Sequence, residues 1–293
     1  MIKDDGSRAF RKVRSLLETP ILDEHKWAKV PTIPCDGVLL DMEDSAPPHR
    51  KEEARAKVLE YLERPEYFGG RSVLPRVNSL DTSWGEADLR AVARSSADVV
   101  LYPKVRTPED VMEVDRILCD EGSQARIFVI IETAGAVVRL QQIVETGLVH
   151  GLLYGPAGQA LDARFSHFSD GDVFDEMYHY ARSKIILSAA AVAIPVFGIA
   201  FVPDMRDLRR VRQEVVRARR QGFSGLVTFY PTHVDVINEV FSSSDEEVAE
   251  ARRVVEAYES ALSTGAAALS VDGRAVLVHD YERSRQVLAR AEG

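Results

Sequence analysis

Eight short apolar runs, each closed by a polar or turn-forming residue and each parted from the next by a helical pattern, constrain this chain more than any other feature. They are Ser15–Thr19, Gly37–Asp41, Ser72–Val77, Asp98–Tyr102, Ile127–Glu132, Gly151–Tyr154, Pro195–Phe201 and Gly225–Phe229. Runs of this length, rich in Val, Ile and Leu, read as strands buried on both faces, as in a parallel sheet covered by helices. The intervals carry helix patterns over His49–Leu62, Glu86–Arg94, Pro108–Leu118, Val137–Glu145, Phe174–Ala193 and Asp204–Gln221. Thr107 is a candidate cap before Pro108, which suits the first helical position because a proline has no N–H to leave unpaired there. Eight alternations of strand and helix predict an α/β fold, a (β/α)₈ TIM barrel, with an open doubly wound sheet as the alternative.

After Phe241 the pattern changes. Ser244 with Glu247 three residues on is a capping box and opens a helix to about Leu262. Ala268–Val271 and Arg274–Val278 flank an Asp272-Gly273 turn and read as a small hairpin, followed by a helix to Ala291. The expected division is therefore a barrel over 1–242 and a C-terminal helix-hairpin-helix extension over 243–293, packing on the barrel or on a neighbouring subunit. Asp162–Asp172, in the longest interval, lacks periodicity and is a candidate lid or binding loop.

Composition excludes several classes of partner. A net charge of −9 and a pI near 5.4 argue against a nucleic-acid surface, which needs uncompensated Lys and Arg. Cys35 and Cys119 lie far apart without CxxC spacing, so a cytoplasmic protein is expected, with neither a zinc site nor a disulfide framework. The charged N-terminal stretch has no apolar core and argues against a secretory signal. The most membrane-like run, Ile185 to Val202, is broken by Ser188, Pro195 and Gly198, so no membrane association is expected.

The chemistry gathers at the carboxyl ends of the runs, where barrels place their active sites. The second run ends in Asp41, Met42, Glu43 and Asp44, the third in Arg76, Val77 and Asn78, the fourth in Pro103 and Lys104, and the fifth in Glu132. Carboxylates crowded at one mouth repel one another unless a cation joins them, and an oxygen-rich cluster suits Mg²⁺. Arg76 offers a planar fork matched to a substrate carboxylate, and Lys104 a point charge beside it. The plainer alternatives are that Glu132 caps the next helix and that Arg76 and Lys104 pair with the same acids.

The stretches RSLLETP, GVLLDMEDSAPPHRKEEAR, LPRVNSLDTSWGEADL, VVLYPKVRTPEDV, IIETAGAV and LLYGPAG, with the ARRVVEAY and VDGRAV tail, together resemble the citrate lyase beta-subunit-like proteins, the HpcH/HpaI aldolase family. The resemblance runs in order from about Arg14 to Ala291. It implies a (β/α)₈ barrel assembled as a homo-oligomer, a trimer or hexamer. It also implies Mg²⁺-assisted cleavage, formation or hydrolysis of β-hydroxyacyl thioesters, or aldol chemistry on small oxo acids. On that resemblance Glu132 matches the first metal-ligating carboxylate and Arg76 the arginine that holds the oxo-acid carboxylate. Glu43 and Asp44 match the acid pair that orders metal-bound waters, and Gly155, Pro156 and Ala157 form the substrate-facing turn.

The departures gather at the same mouth. Where the family reads GPEDL this chain has Gly155-Pro156-Ala157-Gly158-Gln159, so Gly158 replaces the second metal-ligating Asp, and Asp162, one turn on, is expected to point elsewhere. Where the family has FVPG the chain reads Glu18-Thr19-Pro20-Ile21, which leaves the use of a CoA thioester open. Gly198 stands for an Asp, and Phe229-Tyr230-Pro231-Thr232-His233 for IHPSQ, which makes Tyr230 and His233 candidate acids or bases. Mg²⁺ is accordingly expected to be weakly held. The leading expectation is a carbon–carbon lyase or aldolase acting on a small oxo acid or β-hydroxyacyl ester through a stabilised enolate, on a repurposed site. A metal-independent hydrolase and a catalytically silent metabolite-binding or regulatory homologue are the alternatives.

Overall fold

The computed structural model describes residues 10, 12–164, 176–200, 202, 204–264, 270–271 and 273–291. The expected strands are all present: β1 Ser15–Pro20, β2 Gly37–Asp41, β3 Ser72–Arg76, β4 Val99–Tyr102, β5 Arg126–Ile131, β6 Val149–Tyr154, β7 Val196–Ile199 and β8 Gly225–Thr228. Each pairs in parallel with the next, and β1 returns to β8 through Ser15↔Leu226, Leu16↔Val227 and Leu17↔Thr228, closing the barrel. The open-sheet alternative is thereby excluded.

The helices follow in order: α1 Glu24–Trp27, α2 Lys51–Leu62, α3 Gly85–Ala93, α4 Pro108–Asp120, α5 Ala134–Glu145, α6 Pro156–Ala163, α7 Glu176–Ala191, α8 Leu208–Gln221 and α9 Pro231–Phe241. Helix α4 starts as its sequence requires. Pro108 occupies the first position, and the Asp110 carboxylate accepts the N–H groups of Arg106 and Thr107 at 2.7 and 3.0 Å. Helix α5 is capped by Thr133, whose hydroxyl accepts the Ala136 N–H at 2.9 Å, so Glu132 is not its cap. Helix α6 was not foreseen, because Gly155-Pro156 reads as a turn.

The chain divides into two compact units, Met1–Asn238 and Glu239–Gly293, against the 242/243 division expected; the boundary falls inside α9. The second unit contains α10 Asp245–Thr264, β9 Ser270–Val271 paired antiparallel with β10 Arg274–Ala275, and α11 Val278–Ala291. The capping box forms: the Ser244 N–H donates to Glu247 at 3.0 Å and the Glu247 N–H to Ser244 Oγ at 3.1 Å. Tyr258 and Tyr281 stack with centroids 4.5 Å apart, joining α10 to α11. Residues 165–172 of the expected loop, Phe174, Phe201, Ala268 and Asp272 lie outside the described residues. Among those described, no helix is long and apolar enough to cross a membrane.

Alternation along the strands builds the barrel interior in layers. Leu16, Leu39, Leu74, Leu101, Phe128, Ile130, Leu153, Phe197 and Val227 form one buried apolar cluster, which Phe10 and Val13 join from the segment before β1. Successive side chains of a strand point to opposite faces, so the residue two places after an inward one is inward again. Applied to Leu16, Leu39, Leu74 and Ile130, that rule puts Glu18, Asp41, Arg76 and Glu132 in the next layer, toward the carboxyl ends of the strands. All four are buried.

Candidate active site

The centre of this charged layer is Arg76. Its Nε donates to Asp41 Oδ1 at 2.6 Å and its Nη2 to Glu18 Oε1 at 2.8 Å, while Glu43 Oε2 lies 3.6 Å from Nε. The pairing follows from register, since Asp41 sits beside Arg76 on adjacent strands and Glu18 beside Leu39. The ion pair that was the plainer alternative for Arg76 is therefore present, and the fork has two of its N–H groups committed to protein carboxylates.

Glu43 is held by charge from two sides. Lys104 Nζ lies 2.5 Å from Glu43 Oε1 and 3.8 Å from Asp44 Oδ1; Asp44 is largely exposed at the rim. Both Glu43 oxygens are buried, and neither accepts a well-aligned hydrogen bond. Lys104 itself adopts φ +54°, a left-handed conformation that is uncommon for any residue but glycine. That turn aims its backbone N–H at Glu132 Oε1, 2.9 Å away, so one residue grips two acids with different parts of itself.

A second network fixes the loop after β2. Asp41 accepts the N–H groups of Glu43 and Ser45 at 2.8 and 2.7 Å, which bends the chain inward. The buried Lys51 ammonium donates to the carbonyls of Met42 and Glu43 at 3.0 and 2.5 Å and to Asn78 Oδ1 at 2.7 Å. Asn78 in turn donates to Met42 O and to Asp88, which Arg55 holds at 2.5 Å. None of Glu18, Lys51, Asn78 and Asp88 was singled out as a site residue from sequence. Two-residue alternation from Leu16 could have found Glu18; the others act on backbone carbonyls and loop geometry, which leave no motif.

The turn after β6 lies against Glu132. A Cβ placed on Gly158 would stand 2.8 Å from Glu132 Oε2 and 3.0 Å from its Cβ, and one on Gly155 would stand 2.8 Å from Glu132 Cβ. Both glycines therefore make room for the Glu132 side chain, and position 158 does face it. Pro156 is buried and Ala157 exposed. Asp162 is engaged elsewhere: its Oδ2 accepts the Ala134 N–H at 2.6 Å, at the start of α5. His233 is fully buried. Its Nε2 donates to the Met205 carbonyl at 2.7 Å, which leaves Nδ1 to accept from the Thr228 hydroxyl at 3.0 Å. With both nitrogens occupied His233 is a packing and hydrogen-bonding residue, and the half-exposed Tyr230 stacks on it at 5.2 Å.

Burial and like charge set the protonation of the layer. Burial, aided by Asp41, Asp44 and Glu43 and opposed by Arg76, pushes Glu18 up to about 8. Burial, aided by Glu43 and opposed by the Lys104 N–H, pushes Glu132 up to about 7. Glu43 is raised by burial too. Burial would also raise Asp41, but the Arg76 charge and two N–H groups outweigh it and hold it below the usual range. Near neutrality the mouth thus combines ionised and neutral carboxyl groups with two cations, the arrangement by which one site both gives and takes protons.

A divalent ion would find few free donors here. Glu132 faces a glycine where a second carboxylate would be needed, its Oε1 accepts the Lys104 N–H, and Asp162 is bound to Ala134. Among the described residues no group of three or more His, Cys, Asp or Glu converges on a common point. These residues do not fit a resident Mg²⁺ centre built on two facing carboxylates; Glu132 alone offers a weak anchor.

A closed eight-stranded barrel with a ring of buried charge at the carboxyl ends of its strands defines the class: a TIM-barrel protein with its candidate site at that mouth. More narrowly, the chain belongs to the HpcH/HpaI aldolase/citrate lyase family, whose model matches residues 16–231. It is 30% identical over 293 residues to the citrate lyase subunit beta of Escherichia coli, covering 97% of this chain and 95% of that protein. It is also 30% identical over 285 residues to the (3S)-malyl-CoA thioesterase of Cereibacter sphaeroides, covering 95% and 94%. Among solved structures, CitE from Mycobacterium tuberculosis in complex with magnesium, acetoacetate and coenzyme A shares the fold. The TM-score is 0.79 at 22% identity, over 97% of this chain and all of that one.

Proposed function

We propose that this chain is an enzyme that makes or breaks a carbon–carbon bond in a small oxo acid or β-hydroxyacyl ester by stabilising an enolate. The observation that carries the reading is the buried layer Glu18, Asp41, Arg76 and Glu132 with Lys104 at its rim, since a surface that only binds has little use for neutral and ionised carboxyl groups side by side. Citrate lyase beta subunits are relatives over nearly the whole length, and the fold relative CitE carries an acetoacetate.

The chemistry is assigned to the chain's own side chains. Arg76 and Lys104 attract the substrate carboxylate and the oxygen on which negative charge grows; a preorganised cation costs no reorganisation when the charge appears. In cleavage, an ionised Glu43 or Asp44 takes the proton of the β-hydroxyl. The carbon–carbon bond breaks, its electron pair passes to the thioester or acid fragment as an enolate, and Glu132 returns a proton to that carbon. Glu132, pushed up to about 7, is suited to carry that proton at neutral pH. Gly155 lies against Glu132, and the turn it opens with Pro156 and Ala157 is assigned to the substrate's approach.

Hydrolysis is the second reading, favoured by the malyl-CoA thioesterase relatives at the same 30% identity. Incubation with malyl-CoA separates the two. Glyoxylate together with acetyl-CoA marks cleavage of the carbon–carbon bond, whereas free thiol and malate mark hydrolysis. If neither malyl-CoA nor free oxo acids such as oxaloacetate or pyruvate are turned over or bound, both readings fall and a silent homologue remains.

A further inference from the structure

Glu18 stands in the inward layer of β1, two residues beyond the core residue Leu16, and is almost completely enclosed. Its carboxyl contacts Arg76 Nη2 at 2.8 Å while Asp41 holds Nε at 2.6 Å and Glu43 approaches to 3.6 Å. Three protein carboxylates on one guanidinium leave it no net attraction for a fourth. A substrate carboxylate can bind Arg76 well only if one of the three is neutralised. Asp41 is the wrong candidate, because its two backbone N–H partners stabilise the anion. Glu43 also faces the ammonium of Lys104. Glu18 has neither kind of support, and among the described residues Arg76 is the one cation paired with it. The groups that face it from β2, β3 and the loop beyond β2 are Asp41, Glu43, Asp44 and Arg76. Its neighbours across β8 are uncharged, and the charged residues of α1 are exposed.

We propose that Glu18 is a positioning residue that makes binding of an oxo-acid carboxylate conditional on a proton: the anion reaches Arg76 when Glu18 is in its neutral form, and an ionised Glu18 takes up one proton from solvent as the anion enters. This inference rests on the oxo-acid reading above. The proton moves onto the Glu18 carboxylate, no covalent bond of the substrate changes, and the net charge of the layer stays constant. The displacement of this acid to about 8 by burial agrees with the geometry.

The test is calorimetric titration of the full chain with pyruvate and oxaloacetate in magnesium-containing buffers, repeated in two buffers of different ionisation enthalpy between pH 6.5 and pH 9.5. Wild type is expected to take up about one proton per acid bound above pH ~8 and almost none at pH 6.5, with affinity falling about tenfold per pH unit once Glu18 is ionised. Glu18→Gln, which keeps an oxygen for Arg76, should show no uptake and an affinity that is level across the range. Equal uptake in both proteins, or none in wild type at pH 9, would overturn the proposal. A second readout needs no ligand. The ¹³C carboxyl resonance that disappears in Glu18→Gln should titrate far above the ordinary glutamate range in the free protein, and a normal titration overturns the proposal whether or not an acid binds. Failure of every oxo acid to bind either protein at any pH overturns the oxo-acid reading and this inference with it.

Discussion

The backbone N–H of Lys104 points at Glu132 Oε1 from 2.9 Å because Lys104 holds a φ of +54°, and the same residue sends its ammonium 2.5 Å from Glu43 Oε1. A left-handed lysine costs on the order of 1 kcal/mol, and here that strain coincides with the join between two acids that follow separate strands. Lys104→Gly should therefore leave folding stability within about 1 kcal/mol of wild type, relief of strain offsetting the lost and partly exposed ion pair, while oxo-acid affinity drops at least tenfold. Denaturant melts and calorimetry on one preparation check both halves; an unchanged affinity would remove Lys104 from the substrate's path.

Arg76→Ala is expected to destabilise the fold as well as binding. It leaves Glu18, Asp41 and Glu43 buried without their common cation, and breaking such a network by removing one partner costs roughly 3–5 kcal/mol. The fork that the sequence offers to a substrate is here enclosed, so its loss reaches the fold as well as the pocket. The midpoint of urea unfolding measures this, and a shift under about 1 kcal/mol would show that the acids neutralise themselves by protonation.

Stability should fall as pH rises through the neutral range. Glu132 goes from an ordinary 4.5 to about 7 on folding and Glu18 from 4.5 to about 8, so the folded chain binds more protons than the unfolded chain between those values. The contribution of each is complete below pH 4.5 and is lost as pH climbs to about 7 for Glu132 and about 8 for Glu18. Glu132→Gln should remove its own share of the slope between about pH 4.5 and 7 and leave the Glu18 share, which runs from about pH 4.5 to 8. Thermal melts across pH 5 to 9 give the answer; a stability that increases over that interval contradicts the assignment.

Gly158→Asp should raise affinity for Mg²⁺ or Mn²⁺ by roughly tenfold to a hundredfold. Position 158 faces Glu132, so the new carboxylate enters the right space, but its Cβ requires the Glu132 carboxylate to swing away from a 2.8 Å approach. Mn²⁺ titration followed by electron paramagnetic resonance reads the affinity directly. Tight binding in the unmutated chain would mean that a group other than Asp162, which is held by Ala134, has become a ligand.

Most of the barrel was legible because a strand buried on both faces leaves an unbroken apolar run, and each of the eight runs ends within about two residues of the observed strand. Glu43, Arg76, Lys104 and Glu132 were legible for a related reason: charge that interrupts such a run at its carboxyl end has only the mouth to face. Glu18 was harder to place because it lies inside its run, before Thr19 and Pro20, where a single acid reads as the start of a loop. The turn at Lys104 left no trace, since nothing in a lysine encodes a positive φ. The Lys51–Asn78–Asp88 network was hidden because its partners are carbonyls and loop bends, which depend on the folded path more than on residue type.

The charged layer sits one step of the strand alternation above the apolar core, and that spacing governs how such a barrel can change. A single residue inserted or deleted between the core residue and the site residue of β1, β2, β3 or β5 would turn one of the two outward, so length variation there is closed off. Substitution is open. Glu18, Asp41, Arg76 and Glu132 can be exchanged together, with their charges kept in balance, while Leu16, Leu39, Leu74 and Ile130 stay in place beneath them, and a new chemistry can arise by rewriting one tier of side chains over an unaltered floor.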